Sequence, residues 1–270
     1  MGCVLAVFAF LLYFALPVFS GGEWKALLGM DWRPFHGHYG IVAMIQGSLG
    51  LTVLAMLLAC PLGAGICLFC SGLAVGPAAN AVKSLISFMA GIPTVVYGFV
   101  SAFTPVPFLR THFSAGSGYC WLAAGLTLSL LILPTIVLIG LSAMERVQKE
   151  LSLTCTALGM SRAQALIHVV FPAAWPGLLA ACLLGFGRAV GDTLIALMLA
   201  GNAPQFPGSL FDSIRTLTAH IALVVATDSQ SPAYRSVFAA GCLLFAIAAA
   251  VNITVLWVQN KFGGVSADGH

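Results

Sequence analysis

Apolar residues in this chain come in long blocks rather than in alternation. Gly40 to Val82, Ser84 to Leu109 and Ser236 to Asn260 contain no Asp, Glu, Lys or Arg. Blocks of about 20 apolar residues are what a helix needs to cross a bilayer. The pattern predicts spans over Cys3–Phe19, Tyr39–Cys70, Val82–Pro105, Trp121–Ser142, Pro176–Ala200 and Ser236–Val258. A closed β-barrel would instead show segments of about ten residues alternating apolar and polar, and that period is absent.

Glycine and proline mark where these spans should be irregular. Pro61 with Gly63 and Gly65 predicts a kink or an interfacial continuation of the second run, which is longer than a bilayer requires. Gly91, Pro93 and Gly98 interrupt the third in the same way. Nearly all the polarity lies in the connections Ser20–His38, Ala143–Trp175 and Gly201–Arg235. Within Ala143–Trp175, Leu158, Ala165, Val169 and Phe171 alternate with Arg162, Gln164 and His168, which predicts a folded helical hairpin. Within Gly201–Arg235, Ile214, Leu217, Ile221 and Val224 recur at helical spacing beside Asp212, Arg215 and His220. That spacing predicts an amphipathic surface helix over Ser209–Thr227, serving either to seal the bundle or to dock a partner.

Composition fits an all-α membrane bundle in a single domain, 1–270. Hydrophobic residues make up 60% of the chain and charged residues only 7%, so a soluble surface could not be covered. The net charge of +3 comes with no basic run, which argues against nucleic-acid binding. Cys60, Cys182 and Cys242 sit in apolar runs as small hydrophobes, and Cys67-x-x-Cys70 lacks a second ligand pair for a metal. His36 and His38 flank a glycine without a completing ligand. Residues 3–19 lack the basic n-region and small-residue cleavage site of a signal peptide, so an uncleaved first span is expected.

Against this background the residues Arg188 and Asp192 stand out, because they interrupt the uncharged run Pro176–Gly201. A guanidinium near the bilayer centre costs roughly 2.5–3.5 kcal/mol on insertion scales, so such a residue usually lines a pathway or pairs within a bundle. The four-residue offset predicts one shared helical face. Gly187 and Gly191 form a small-xxx-small pair beside them, where a neighbouring helix can approach. Two readings stay open: a packing ion pair, or a substrate contact. There is no GxSxG, no HExxH and no Gly-Lys pair for a Walker loop, so neither catalysis nor ATP hydrolysis is expected of this chain, and no cofactor.

Two motifs carry a family resemblance. Ala157-Leu158-Gly159-Met160-Ser161-Arg162, leading to Val169-Val170-Phe171-Pro172, resembles the Glu-Ala-Ala-x-x-x-Gly loop of ABC-importer permeases, with Leu153-Thr154-Cys155 where that family has Glu-Ala-Ala. Gly187-Arg188-Ala189-Val190-Gly191-Asp192-Thr193 resembles the Gly-Arg-Ala-x-Gly-Glu-Thr signature of phosphate-importer permeases, and Gly91-Ile92-Pro93-Thr94-Val95-Val96-Tyr97-Gly98 resembles their Gly-Ile-Pro-Ser-Val-Val-Tyr-Gly element. Leu197–Asn202 and Thr216–Ala219 lean towards the PstC-type subunit rather than the PstA-type.

The resemblance spans most of Tyr39–Asn252, within a permease core of 39–258. It implies a multi-pass protein of the bacterial inner membrane that moves inorganic phosphate. It implies as partners two ATP-binding cassette ATPase subunits, a second permease chain and an external phosphate-binding protein, with the lipid bilayer around them. Residues 143–175 would face the cytoplasm and 201–235 the exterior, an orientation that the evenly divided basic residues leave undecided. Arg188, Asp192, Pro93 and Tyr97 would line the substrate pathway, while Ala157, Gly159, Arg162 and Pro172 would couple to the ATPase, with Glu150 standing in for the missing glutamate. The guanidinium fork suits a tetrahedral oxyanion, and Asp192 would accept the proton that phosphate keeps and sulfate lacks. Molybdate, tungstate or sulfate remain alternative cargoes. A secondary transporter driven by Asp192 protonation, or a polytopic enzyme, is the alternative of a different class.

Overall fold

The computed structural model describes residues 6, 9, 10, 12, 13, 29–73, 76–113, 116–225 and 232–262. The expected span Cys3–Phe19 lies largely outside them. A two-residue hairpin, β1 (Trp32–Arg33) and β2 (His38–Tyr39), precedes the helices and holds His36 and His38. Then follow α1 (Val42–Leu68), α2 (Pro77–Gly91), α3 (Thr94–Phe103), α4 (Pro105–His112) and α5 (Trp121–Ala157). After these come α6 (Arg162–Ala165), α7 (Phe171–Gly191), α8 (Leu194–Leu199), α9 (Leu217–Val224) and α10 (Pro232–Phe262).

The described residues are all-α apart from that hairpin and one isolated bridge. Among the described residues four helical stretches are long and apolar enough to cross a membrane: Val42–Gly72, Trp121–Ala157, Arg162–Gly191 and Ser236–Gln259. Pro77–Gly91 and Thr94–His112 together make a fifth, broken one.

Several expected elements change their bounds. The second run, expected over Tyr39–Cys70, is helical from Val42 through Pro61 to Leu68 and then loosens into a π-turn at Phe69–Leu73. The third begins at Pro77, where proline is pre-set for a first helical turn, and stops at Gly91 because Pro93 cannot donate to the ladder. Gly98, by contrast, is inside α3. The fourth run overshoots its apolar stretch, and α5 continues to Ala157. The fifth breaks at Asp192–Thr193 instead of running through to Ala200.

The amphipathic helix expected over Ser209–Thr227 is reduced to the eight residues of α9. Its Leu217, Ala219, His220 and Val224 are buried, so it belongs to the core and not to a surface. Ile214 is kept out of the helix by the backbone: its N–H donates to Ala200 O at 2.8 Å, and its carbonyl accepts from Asn202 N at 3.1 Å.

The chain divides into two compact units. The first comprises residues 1–54, 94–128 and 190–250. Part of its core is Ile41, Ala43, Met44, Leu217, Ala239 and Ala240. Ser48 Oγ accepts from Leu217 N at 2.7 Å, tying α1 to the start of α9 through a fully buried bond. In the same unit Gly98 lets α3 and α8 close on each other, since an added Cβ would lie 2.7 Å from Met198 Sδ.

The second unit comprises residues 55–93, 129–189 and 251–270. It is centred on Cys67, Leu133, Val137, Met144, Leu166 and Leu178, with Ile86 of α2. Cys67 and Cys70 are therefore core residues, and no group of three metal-binding side chains occurs among the described residues.

Gly98 and Gly191 separate a packing role from a permissive one. Gly98→Val must displace Met198 and is expected to cost about 1–3 kcal/mol. Gly191→Ala meets nothing within 4 Å and should change stability by less than about 0.5 kcal/mol. Thermal melts in detergent check this, and equal shifts for the two variants would contradict the packing assigned here.

Candidate functional site

Arg188 lies in the last turn of α7 and is solvent-exposed. Its Nη1 donates to Thr135 Oγ1 of α5 at 2.9 Å, which gives the guanidinium a fixed anchor and leaves its other donors available in geometry for a ligand. Thr135 follows Pro134, the proline inside α5. Nothing in the sequence singled out Thr135, because its partner is far away along the chain.

Asp192 is placed differently from the expectation of one shared helical face. Helix α7 ends at Gly191, and Asp192 is the first residue past it. Its Oδ2 accepts from Ile195 N at 2.9 Å, so the carboxylate, one residue before the N-cap Thr193, takes one of the N–H groups that the first turn of α8 leaves without a helical partner. Its backbone carbonyl accepts from Thr218 Oγ1 of α9 at 2.9 Å. A short side chain suits this bond, because Asp and Asn readily bond a backbone N–H a few residues further on, as they do in turns and at helix starts. Asp192 thus has a structural task that its charge alone did not reveal.

The remaining pathway candidates flank the other break. Pro93 is exposed between α2 and α3, and Tyr97 is half-buried in α3 next to Gly98. The two glycines beside Arg188 differ from each other: an added Cβ at Gly187 would touch Val251 Cγ1 of α10 at 3.4 Å, while at Gly191 it would meet nothing. The tighter approaches in this helix are at Gly185, against Ile136 Cγ1 at 2.7 Å, and at Gly177, against Ala143.

Around Gly159 the expected helical hairpin is present. α5 ends in paired reverse bonds, Gly159 N to Thr156 O at 3.0 Å and Met160 N to Cys155 O at 3.1 Å. With Gly159 at φ 69, this is a Schellman termination, which glycine favours because it lacks a Cβ. One residue later Ser161 starts α6 with a capping box: Ser161 Oγ accepts from Gln164 N at 3.4 Å, and Gln164 Oε1 accepts from Ser161 N at 3.0 Å. Four residues therefore stop one helix and start the next.

From Arg162 the chain runs to Gly191 as one helical stretch, interrupted only by a π-turn at Leu166–Val170. Pro172 sits just after that turn, where its missing N–H removes a bond of the ladder. Ala157, Arg162 and Pro172 are exposed. Leu153, at the position of the expected glutamate, is 83% exposed, and Leu158 is 72% exposed. Beside the turn is a cavity of about 420 Å³ lined by Ser152, Cys155, Thr156, Met160 and Arg162.

In the connection 201–235, Asp212 Oδ2 accepts from Gly208 N at 2.7 Å and Ser209 N at 2.8 Å. The carbonyls of Asp212 and Leu210 take the N–H groups of Trp121 and Leu122, closing the start of α5. Arg215 Nε donates to Asn202 O at 2.8 Å, and burial lowers its pKa. His220 is fully buried, with Nε2 3.0 Å from Ser236 Oγ and its ring edge-on to Trp32. Burial, and then the nearby Arg215 charge, push its pKa down to about 4, so it is neutral at physiological pH.

The capping role of Asp192 makes a distinct prediction. Asp192→Ala should lower stability by about 1 kcal/mol, Asp192→Asn should keep most of it, and Asp192→Glu should behave like alanine. Melting curves in detergent read the order, and a glutamate variant as stable as the asparagine one would remove the cap.

Comparison with known proteins shows the family of the chain. Residues 69–263 match the family described as binding-protein-dependent transport system inner membrane component. A probable ABC transporter permease, YqgH of Bacillus subtilis, is 38% identical over 73% of this chain, and the match spans 64% of that relative's length. The phosphate transport system permease PstC of Mesorhizobium japonicum is 29% identical over 86% of this chain and 79% of its own length. Among solved structures, a bacterial alginate ABC transporter chain aligns with a TM-score of 0.62 at 13% identity over 97% of this chain and 96% of its own. The MetNI methionine transporter in an inward-facing conformation gives 0.60 at 18% over 81% of this chain and 95% of its own. With the family matched over most of its length, and with several helices able to span a bilayer, this chain belongs to the binding-protein-dependent transport system inner membrane components: it is a multi-pass permease subunit and not an enzyme.

Proposed function

We propose that this chain is a permease subunit through which an ATP-driven importer of bacterial type moves inorganic phosphate across the inner membrane. The observation that carries the reading is the single guanidinium of α7 at an otherwise uncharged stretch of span, in a chain whose relatives include PstC phosphate permeases over most of its length. Arg188 keeps its charge at any physiological pH and offers a planar fork that matches phosphate oxygens. It binds the oxyanion; Thr135 orients it.

Asp192 has a smaller part in this mechanism than its charge suggests. One of its oxygens is engaged by Ile195 N–H, so its contribution to the pathway is to hold the break between α7 and α8 open as irregular backbone. Such backbone is tolerated at membrane depth where it is buried in protein or lines a cavity. Pro93 and Tyr97 belong to the corresponding break between α2 and α3.

Energy enters at the hairpin around Gly159, which faces the cytoplasm in this reading. Its partners are ATP-binding cassette ATPase subunits, a second permease chain and an external phosphate-binding protein. The exposed Leu153 and Leu158 give the hairpin an apolar grip where relatives of the resembling motif use a glutamate, and Glu150 lies one turn before. Helix α5 carries both Thr135 and Ala157, about 33 Å apart at helical rise. Movement of the hairpin therefore reaches the residue that holds Arg188 through one rigid element.

Vesicles containing the assembled transporter test this. Arg188→Lys keeps the charge and loses the fork, and phosphate uptake should fall at least about tenfold, a loss of about 1.4 kcal/mol or more. ATPase activity in the same vesicles shows whether the complex has assembled. Wild-type uptake by both Arg188→Lys and Arg188→Gln would sink the assignment, and sulfate or molybdate uptake exceeding phosphate would change the cargo.

A further inference from the structure

A cleft of about 540 Å³ opens in the second unit between α5, α7 and α10. Its floor is low because two helices meet there through small residues, Gly177 of α7 against the Ala143 methyl of α5. A Cβ added at Gly177 would collide with Ala143, and Ala173, Ala174 and Ala180 continue the small-residue surface along α7. Ser142, Arg146 and Gln259 supply its polar side. Arg146 is exposed and has no ion-pair partner among the described residues. The adjacent acid is committed elsewhere, since Glu145 Oε1 accepts from Lys83 Nζ at 2.8 Å.

Depth gives the cleft its meaning. From Trp121 to Ala143 helix α5 carries no charge, a rise of about 33 Å that matches a hydrocarbon core of about 30 Å. Arg146 therefore emerges at the level of the headgroups. Trp175 on α7 and Trp257 on α10 are 51% and 54% exposed, as interfacial aromatics are, and Lys261 Nζ lies 4.7 Å above the Trp257 ring.

We propose that this cleft binds an anionic phospholipid, with Arg146 and Gln259 holding the headgroup phosphodiester and an acyl chain lying over Ala173, Ala180 and Ile139. Basic pockets between transmembrane helices suit such headgroups, and an arginine fork suits a phosphodiester. A choline headgroup would bring a second cation towards Arg146, with Lys149 one turn further on. A free phosphate ion has no use for the apolar floor. The site is separate from Arg188, and the inference stands whatever cargo the permease carries.

Native mass spectrometry of the full chain in mild detergent tests it, with equimolar dioleoylphosphatidylglycerol and dioleoylphosphatidylcholine as probes. Wild type should retain the glycerol lipid about fivefold over the choline lipid, the preference expected for one basic contact near the surface. Arg146→Gln should remove that preference and Arg146→Lys should largely keep it, which separates lost charge from lost fold. Ala173→Phe, at an exposed wall position, should reduce adducts of both lipids by filling the cleft. The inference is overturned by an unchanged ratio in Arg146→Gln, by displacement of the lipid with inorganic phosphate, or by Ala173→Phe leaving lipid adducts intact.

Discussion

Backbone N–H and C=O groups inside a bilayer have no water to bond, and each group left unsatisfied costs several kcal/mol. Every irregular stretch in the apolar runs of this chain must therefore be closed by the protein itself. Where α7 gives way to α8, closure comes from Asp192, whose carboxylate takes Ile195 N–H and whose carbonyl takes Thr218 Oγ1. Where α2 gives way to α3, Ile92 N–H bonds back to Met89 O at 3.2 Å and Pro93 brings no N–H to satisfy. These closures allow two spans to be broken without leaving raw backbone in lipid. The residues proposed for the pathway lie at or beside them.

The same rule explains why charge was an incomplete guide to Asp192. In a soluble protein a cap at a helix start is satisfied by water when it is lost. At membrane depth no such replacement exists, so a carboxylate there has a structural claim that precedes any transport role. Arg188 has no comparable duty in its own helix: its side chain bonds Thr135 of α5, and its remaining donors are not needed by the backbone.

Much of this was legible in the sequence. Long uncharged runs showed a helical membrane bundle, Pro93 showed a break, and the apolar positions of Ala143–Trp175 showed a helical hairpin, though not the Schellman stop at Gly159 or the Ser161–Gln164 capping box. The residue resemblances reached the family that the comparisons show. Other parts were hidden for identifiable reasons. Ile214, Leu217, Ile221 and Val224 have helical spacing, yet Ile214 is held by backbone bonds to Ala200 and Asn202, and tertiary burial of Leu217 and His220 turned a supposed surface helix into core. The contacts of Thr135 with Arg188 and of Ser48 with Leu217 join residues remote along the chain, which no local pattern reports. The overshoot of α5 past Ser142 was missed because a helix leaving the bilayer becomes polar without ceasing to be a helix.

Taken together, these features separate three tasks along the chain: a guanidinium anchored inside a span, breaks whose irregular backbone the protein closes itself, and a sharply terminated hairpin about 33 Å along α5 from Thr135. The central claim is that Arg188 touches the transported anion. Its most direct test is an electron cryomicroscopy structure of the complete transporter with phosphate trapped in the membrane pathway. The account predicts oxyanion density within hydrogen-bonding distance of the Arg188 guanidinium, with Thr135 still bonded to its other side. Phosphate resolved elsewhere in the pathway, with Arg188 bonded only to protein, would contradict it.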